Sequence, residues 1–210
     1  MTNEPIVHVV DDDQAMVESL SWVIQSVGLK AKTYIRAQDF LETYDPSQPG
    51  CLLLDVRMPG MSGPELQTKL NEIGAPSLPI IFISGHGDVP LAVRVMKAGA
   101  TDFLTKPFND QVLLESINKA LRADKANRDK QQENAQAEAK FALLSHREVQ
   151  VLQGIVAGKQ NKVISAELNI SLKTVEAHRA SVMKKMGVKS VPELVKLVLT
   201  NSVNEPVSEE

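Results

Sequence analysis

The sequence predicts an α/β fold, a doubly wound parallel sheet built from five βα units, followed by an all-α module of four short helices. Three observations predict it. Over residues 1–122, short apolar runs alternate with helical patterns. Three of those runs are almost wholly apolar, as strands are when helices cover both faces of a sheet. Beyond residue 142 the strand signals stop, and only helically spaced apolar residues remain.

The elements follow in order. Strands are expected at Ile6–Val10, Lys30–Ile35, Cys51–Leu54, Pro79–Ile83 and Thr101–Leu104. Helices are expected at about 14–27, 37–44, 64–73, 89–98 and 110–122. The first helix places Met16, Leu20, Val23 and Val27 on one face, and Gly28 stops it. Residues 123–142 are rich in Ala, Lys, Glu and Gln and nearly free of large apolar side chains. They read as an exposed helical linker, continuing the fifth helix, with a disordered tether as the alternative. Within it Asp124 and Arg128 stand at the favourable i, i+4 spacing. Residues 143–203 read as four short helices, with capping boxes at Ser145–Glu148 and Ser190–Glu193. Residues 204–210 form an acidic tail.

Composition bounds the function. The chain has 210 residues, 43% hydrophobic and 23% charged, which excludes a disordered, collagenous or disulfide-framework protein. No apolar run approaches the ~20 residues of a membrane span, and no secretory signal is read at the start. The single cysteine, Cys51, points to a reducing cytoplasm. The net charge of −3 argues against nucleic-acid binding if taken whole. It is an average. Residues 1–122 hold ten bases and fifteen acids, whereas residues 143–203 hold nine bases and four acids.

In a parallel sheet, ligands bind at the carboxyl ends of the strands. The chemically able residues fall there. Asp11, Asp12 and Asp13 follow the first strand, Asp55 the third, Ser84 the fourth and Lys106 the fifth. One such Asp is often only the cap of the next helix, and Asp13 fits that role. Four strand ends bearing such residues in one chain are far more specific. Clustered carboxylates repel unless a cation sits among them. Hard oxygen ligands suit Mg²⁺ (or Mn²⁺). A carboxylate facing a metal, a lysine and a hydroxyl is a phosphoryl acceptor by its chemistry. His8, mid-strand, and Cys51 read as packed structural residues, and the four histidines show no metal spacing.

The segments VVDDD (9–13), LLLDVRMPGMSG (52–63), IFISGHGD (81–88) and AGATDFLTKPF (98–108) resemble the CheY-like receiver domain of two-component response regulators. The resemblance implies Asp55 as phosphoacceptor and a Mg²⁺ held by Asp11, Asp12, Asp55 and the Arg57 backbone carbonyl. It implies Ser84 and Lys106 as phosphate-binding residues, Phe103 as the aromatic switch, and a cis Lys106–Pro107 bond. In this family the phosphodonor histidine belongs to the partner kinase, so His86 is not assigned a catalytic role.

In the basic module, a helix over Asn161–Asn169, a short turn and a basic helix to about Met186 follow the helix-turn-helix plan. A small bundle with a solvated basic face is the alternative. The wording LSHREVQVLQGIVAGKQNKVISAELNISLKTVEAHRASVMKKMGVKS resembles the LuxR/NarL-type helix-turn-helix, and the whole chain resembles FixJ-type response regulators. By that resemblance Lys173, Thr174, His178, Arg179 and Lys184 face the DNA backbone, while Glu176, Ala177 and Ala180 face base edges. The turn carries Asn169 where the family usually has Gly, and Val163 stands where a polar residue is common.

Together these expectations describe a phosphoacceptor transcription factor, not an enzyme. Its partners are a cognate sensor histidine kinase, double-stranded promoter DNA and RNA polymerase. Phosphorylation is expected to drive homodimerisation through a surface including Val93 and Lys97, and to activate transcription. A haloacid-dehalogenase-type phosphatase is the rival enzyme, but it needs Asp-x-Asp, and this chain has Asp55-Val-Arg57.

Overall fold

The computed structural model describes residues 4–73, 78–85 and 89–202. His86 and the tail 204–210 lie outside them. The chain divides into two compact units, Met1–Asp129 and Lys130–Glu210.

The first unit is the predicted parallel sheet. Strands β1 (Ile6–Val10), β2 (Lys30–Tyr34), β3 (Gly50–Asp55), β4 (Ile80–Ser84) and β5 (Asp102–Thr105) run in the order β2-β1-β3-β4-β5. All four pairings are parallel. Strand β3 is buried throughout, because neighbours flank it and helices cover it on both sides. Edge strand β2 instead exposes Lys30 and Lys32, which discourage pairing with another chain.

The interleaved helices are α1 (Gln14–Ser26), α2 (Ala37–Thr43), α3 (Gly63–Glu72), α4 (Val89–Lys97) and α5 (Asp110–Ala142). Alternation along β3 sorts them into two layers. Leu52 and Leu54 face a core shared with Phe40 of α2, Leu66 and Leu70 of α3 and Val95 of α4. Cys51 and Leu53 face the other, with Leu20 and Ile24 of α1 and Leu113, Ile117 and Ala120 of α5. Each fully buried Leu, Ile, Val or Phe among them contributes about 1.5–3 kcal/mol by leaving water. The buried face of α1 is corrected at both ends. Val17 and Ile24 are buried, whereas Val27 is the C-cap and 51% exposed, because the helix has already ended there. Asp13 caps α1, accepting from the backbone N–H groups of Ala15 and Met16.

Helix α5 runs on through the linker, as expected, but it is not uniformly exposed: Asp124 and Ala137 are buried. The second unit continues with α6 (His146–Val156), α7 (Asn161–Leu168), α8 (Leu172–Met186) and α9 (Val191–Ser202). Its core holds Val151, Leu152, Ile155, Ile164, Val175, Val182, Met186 and Leu194. Gly154 lets α6 and α7 close up, since a Cβ there would lie 2.8 Å from Ile164. The capping box at Ser145 forms. The one at Ser190 is shifted: the Glu193 carboxylate accepts from the Lys189 amide, while the Glu193 amide donates to the Ser190 hydroxyl.

Candidate functional site

The order β2-β1-β3 places the topological switch point between β1 and β3, and the acidic residues converge at that end. Asp11 follows β1 directly. Asp55 and Ser84 are the last residues of β3 and β4, a small correction to their reading as residues beyond those strands. Lys106 follows β5 directly, and its bond to Pro107 is cis. The Lys106 ammonium donates to Asp11 Oδ2 at 2.7 Å and to Asp55 Oδ1 at 2.9 Å. The other Asp55 oxygen accepts from the Arg57 amide at 2.7 Å. Asp11, Asp55 and Ser84 are 2%, 8% and 3% exposed, so the cluster is held in a narrow crevice.

The loop after β3 folds tightly over this site. The Gly63 amide returns to the Val56 carbonyl, and a Cβ on Gly63 would sit 2.4 Å from the Asp55 carbonyl oxygen. That close approach explains the glycine that ends LDVRMPGMSG, a role unassigned from the sequence.

Charge is not balanced in the crevice. Burial raises the Asp55 carboxyl above the ordinary carboxylate range and the charge of Asp11 adds to it, outweighing the bonds from Lys106 and Arg57. Burial also works against the Lys106 cation, but its hydrogen bonds to Asp11 and Asp55 prevail and its pKa is raised. Two carboxylates thus share one ammonium, and a further cation would relieve the deficit. Asp12 stays exposed at the rim. Among the described residues no three His, Cys, Asp or Glu side chains converge as a metal cluster.

Phe103 is half-buried in β5, beside Phe82 of β4, and packs on the core that contains Val95. Val93 and Lys97 are exposed on α4, where Val89 and Met96 extend the apolar surface.

In the second unit, α7, a three-residue turn and α8 form a helix-turn-helix. Asn169 takes the left-handed conformation, φ 53° and ψ 47°, that the family's usual Gly would supply. The Ser171 hydroxyl caps α8 by accepting from the Thr174 amide. Val175, Val182 and Met186 bury one stripe of α8. Lys173, Ala177, Ala180 and Lys184 lie on the opposite, exposed face, as ~100° per residue requires. Glu176 is exposed beside them, whereas Thr174, His178 and Arg179 are half-buried along the flank. Val163 is exposed.

Behind α8 lies a network of which only the helix cap, Ser145 with Glu148, is visible in the sequence. Glu148 of α6 accepts from Lys185 Nζ at 2.7 Å, the Ser181 hydroxyl at 2.5 Å and the Ser145 amide at 2.7 Å. Lys185 also donates to the Leu143 carbonyl. The lysine and serine donors hold the Glu148 pKa down at about 2. The network fixes the roll of α8 about its own axis. Of its members only Ser145 and Glu148 carry a local signal.

Residues 7–118 match the family model described as the response regulator receiver domain, and residues 142–198 match that of the bacterial regulatory proteins of the luxR family. The chain is 46% identical over 194 residues to the response regulator protein TmoT of Ectopseudomonas mendocina, covering 92% of this chain and 88% of that one. It is 46% identical over 199 residues to the transcriptional regulatory protein FixJ of Azorhizobium caulinodans, covering 94% and 93%. The solved structure of the response regulator StyR superposes with a TM-score of 0.87 at 46% identity, over 93% of this chain and 98% of that chain. No described helix is long and apolar enough to cross a membrane. The chain belongs to the two-component response regulators, transcription regulators in which a receiver domain precedes a LuxR-family helix-turn-helix.

Proposed function

We propose that Asp55 accepts a phosphoryl group from a cognate cytoplasmic sensor histidine kinase, and that this event controls binding of α8 to promoter DNA. The observation that carries the reading is the Lys106 ammonium bridging Asp11 and Asp55 at the strand ends. In the transfer, an Asp55 oxygen forms a bond to phosphorus as the bond to the kinase imidazole breaks, and the imidazole leaves as the neutral base or takes up a proton. Lys106 and Ser84 then bind the phosphoryl oxygens. The donor set fits a hard divalent cation, since the buried carboxylates lack a full complement of positive charge. Asp11, Asp12, Asp55 and the Arg57 carbonyl would hold Mg²⁺ (or Mn²⁺), which when bound neutralises phosphoryl charge.

Engagement of Ser84 and Lys106 shifts the ends of β4 and β5, and Phe103 repacks with them. That change biases the face of α4 that bears Val93 and Lys97 toward a homodimer. A dimer presents two α8 helices to two half-sites, raising affinity by effective concentration. On DNA, Lys173, Thr174, His178, Arg179 and Lys184 position the helix on phosphates, and Glu176, Ala177 and Ala180 meet base edges. The bound dimer recruits RNA polymerase and activates transcription.

The test uses the full chain and a DNA site obtained by sequence selection. Acyl-phosphate treatment should tighten wild-type binding about fivefold or more, and Asp55→Asn should lose that gain. An Asp55→Asn protein that responds to the phosphodonor as wild type does would refute the assignment.

A further inference from the structure

Helix α5 is held in the receiver core by Leu113, Ile117 and Ala120, and Ala120 is its last fully buried apolar residue there. The receiver family model ends at residue 118 and the LuxR-family model begins at 142. In the stretch that neither covers, the helix is tied down again, by charge. Asp124 is 1% exposed. Its carboxylate accepts from the Gly50 amide at 3.0 Å, at the start of β3, and from Arg128 Nε at 2.9 Å. Arg128 turns its remaining donors onto the loop before β3, reaching the Ser47 carbonyl at 3.1 Å and the Gln48 carbonyl at 2.8 Å. That loop is braced in turn to β1, through Ile6 N–H to the Pro49 carbonyl and Gln48 Nε2 to the Glu4 carbonyl.

A buried ion pair is a poor way to gain stability, because desolvation offsets most of its attraction. Its strength is geometric. A carboxylate bonded to a strand amide, and a guanidinium forked over two carbonyls, admit one position and one roll of the helix. The clamp acts at the pole of the sheet opposite Asp55, on helix turns that lead out of the receiver.

We propose that Asp124 and Arg128 are positioning residues for signal transmission: they fix the root of the connecting helix to the receiver sheet, so that the phosphorylation state of Asp55 reaches the DNA-binding unit instead of being lost in a flexible hinge. This rests on the phosphorylation switch proposed above. Arg128→Gln keeps the helix-favouring character of the position but loses the fork, and Asp124→Asn keeps the shape but loses the charge.

The experiment compares DNA affinity with and without acyl-phosphate treatment in full-length wild type, Arg128→Gln and Asp124→Asn, alongside phosphorylation yield and amide hydrogen exchange at residues 121–129. The expected result is unchanged phosphorylation yield, faster exchange, and a ratio of phosphorylated to unphosphorylated affinity reduced about threefold or more. A merely structural role would lower the active fraction of both forms equally and leave the ratio intact, and a wild-type ratio in both variants overturns the proposal. Arg128→Lys, which keeps the charge without the fork, should restore no more than part of the ratio, and full restoration would equally overturn the role of the fork. A wild-type ratio of one is a different failure: it refutes the phosphorylation switch itself, and the clamp's role in transmission with it.

Discussion

Each compact unit contains a carboxylate meeting a lysine ammonium, and the two are pushed in opposite directions. Asp55 accepts from Lys106 at 2.9 Å, and Glu148 from Lys185 at 2.7 Å. Glu148 also gathers the Ser181 hydroxyl and the Ser145 amide, and its pKa falls to about 2. Asp55 has fewer donors and shares its lysine with Asp11, so burial prevails and its pKa rises. The lesson concerns donor count rather than the ion pair itself. A carboxylate supplied with donors is a fixed strut, and one left short of positive charge is poised to gain from whatever brings more.

Breaking the strut should have the largest effect. Glu148→Ala leaves the Lys185 ammonium half-buried without its carboxylate and frees Ser181 from α6. It should lower the melting temperature of the second unit and abolish DNA binding with and without phosphodonor alike, as read by calorimetry and DNA titration. The pH dependence has a definite sign. The folded pKa lies below the ordinary 4.5, so this stabilisation is complete above about pH 4.5 and is lost as pH falls toward 2. A variant whose acid unfolding tracks wild type through that window would remove Glu148 as the strut.

Asp55 carries the opposite sign. Its folded pKa is raised above the ordinary 3.8, so the ionised carboxylate destabilises the receiver at neutral pH. That penalty fades as pH falls through the raised value. Asp55→Asn should therefore stabilise the receiver while disabling it, raising its melting temperature at neutral pH. The gap to wild type should narrow on acidification. A lower melting temperature for Asp55→Asn at neutral pH would show that its bonds to Lys106 and Arg57 outweigh burial.

The same comparison explains what was legible in the sequence. The βα alternation, the parallel sheet and the cluster of Asp11, Asp55, Ser84 and Lys106 could be read because strand ends mark themselves by a change from apolar to polar residues. The Asn169 turn and the Ser145 box are local in the same sense. Glu148 was visible as a cap, but its bonds to Ser181 and Lys185 span 33 and 37 residues, and no periodicity announces them. The i, i+4 spacing of Asp124 and Arg128 marks only a pair on an exposed helix, because the Gly50 amide that meets buried Asp124 lies 74 residues away. At Val27 the sequence stripe and the buried face of α1 part, because a hydrophobic residue at a helix end continues the stripe after the helix has stopped. Apart from that helix end, what escaped was a contact made by the tertiary fold.

The smallest predicted effect lies on α8, where the two lysines of one dipeptide divide the roles. Lys185 turns inward to Glu148, while Lys184 is exposed in the last turn, on the face opposite Val175 and Val182. Lys184→Ala should weaken binding to all DNA sequences by a similar factor and flatten the plot of log affinity against log salt by about one unit, with no change in melting temperature. Ala180→Ser or Glu176→Gln should leave the slope intact and alter preference at one base pair of each half-site, because these positions offer base-edge contacts rather than charge neutralisation. Lys185→Ala separates the two roles most sharply. It should lower the melting temperature of the second unit, since Glu148 then loses its principal donor, and only through that loss should it weaken DNA binding. A Lys185→Ala protein of wild-type stability but reduced salt slope would place Lys185 on the phosphates and undo the division.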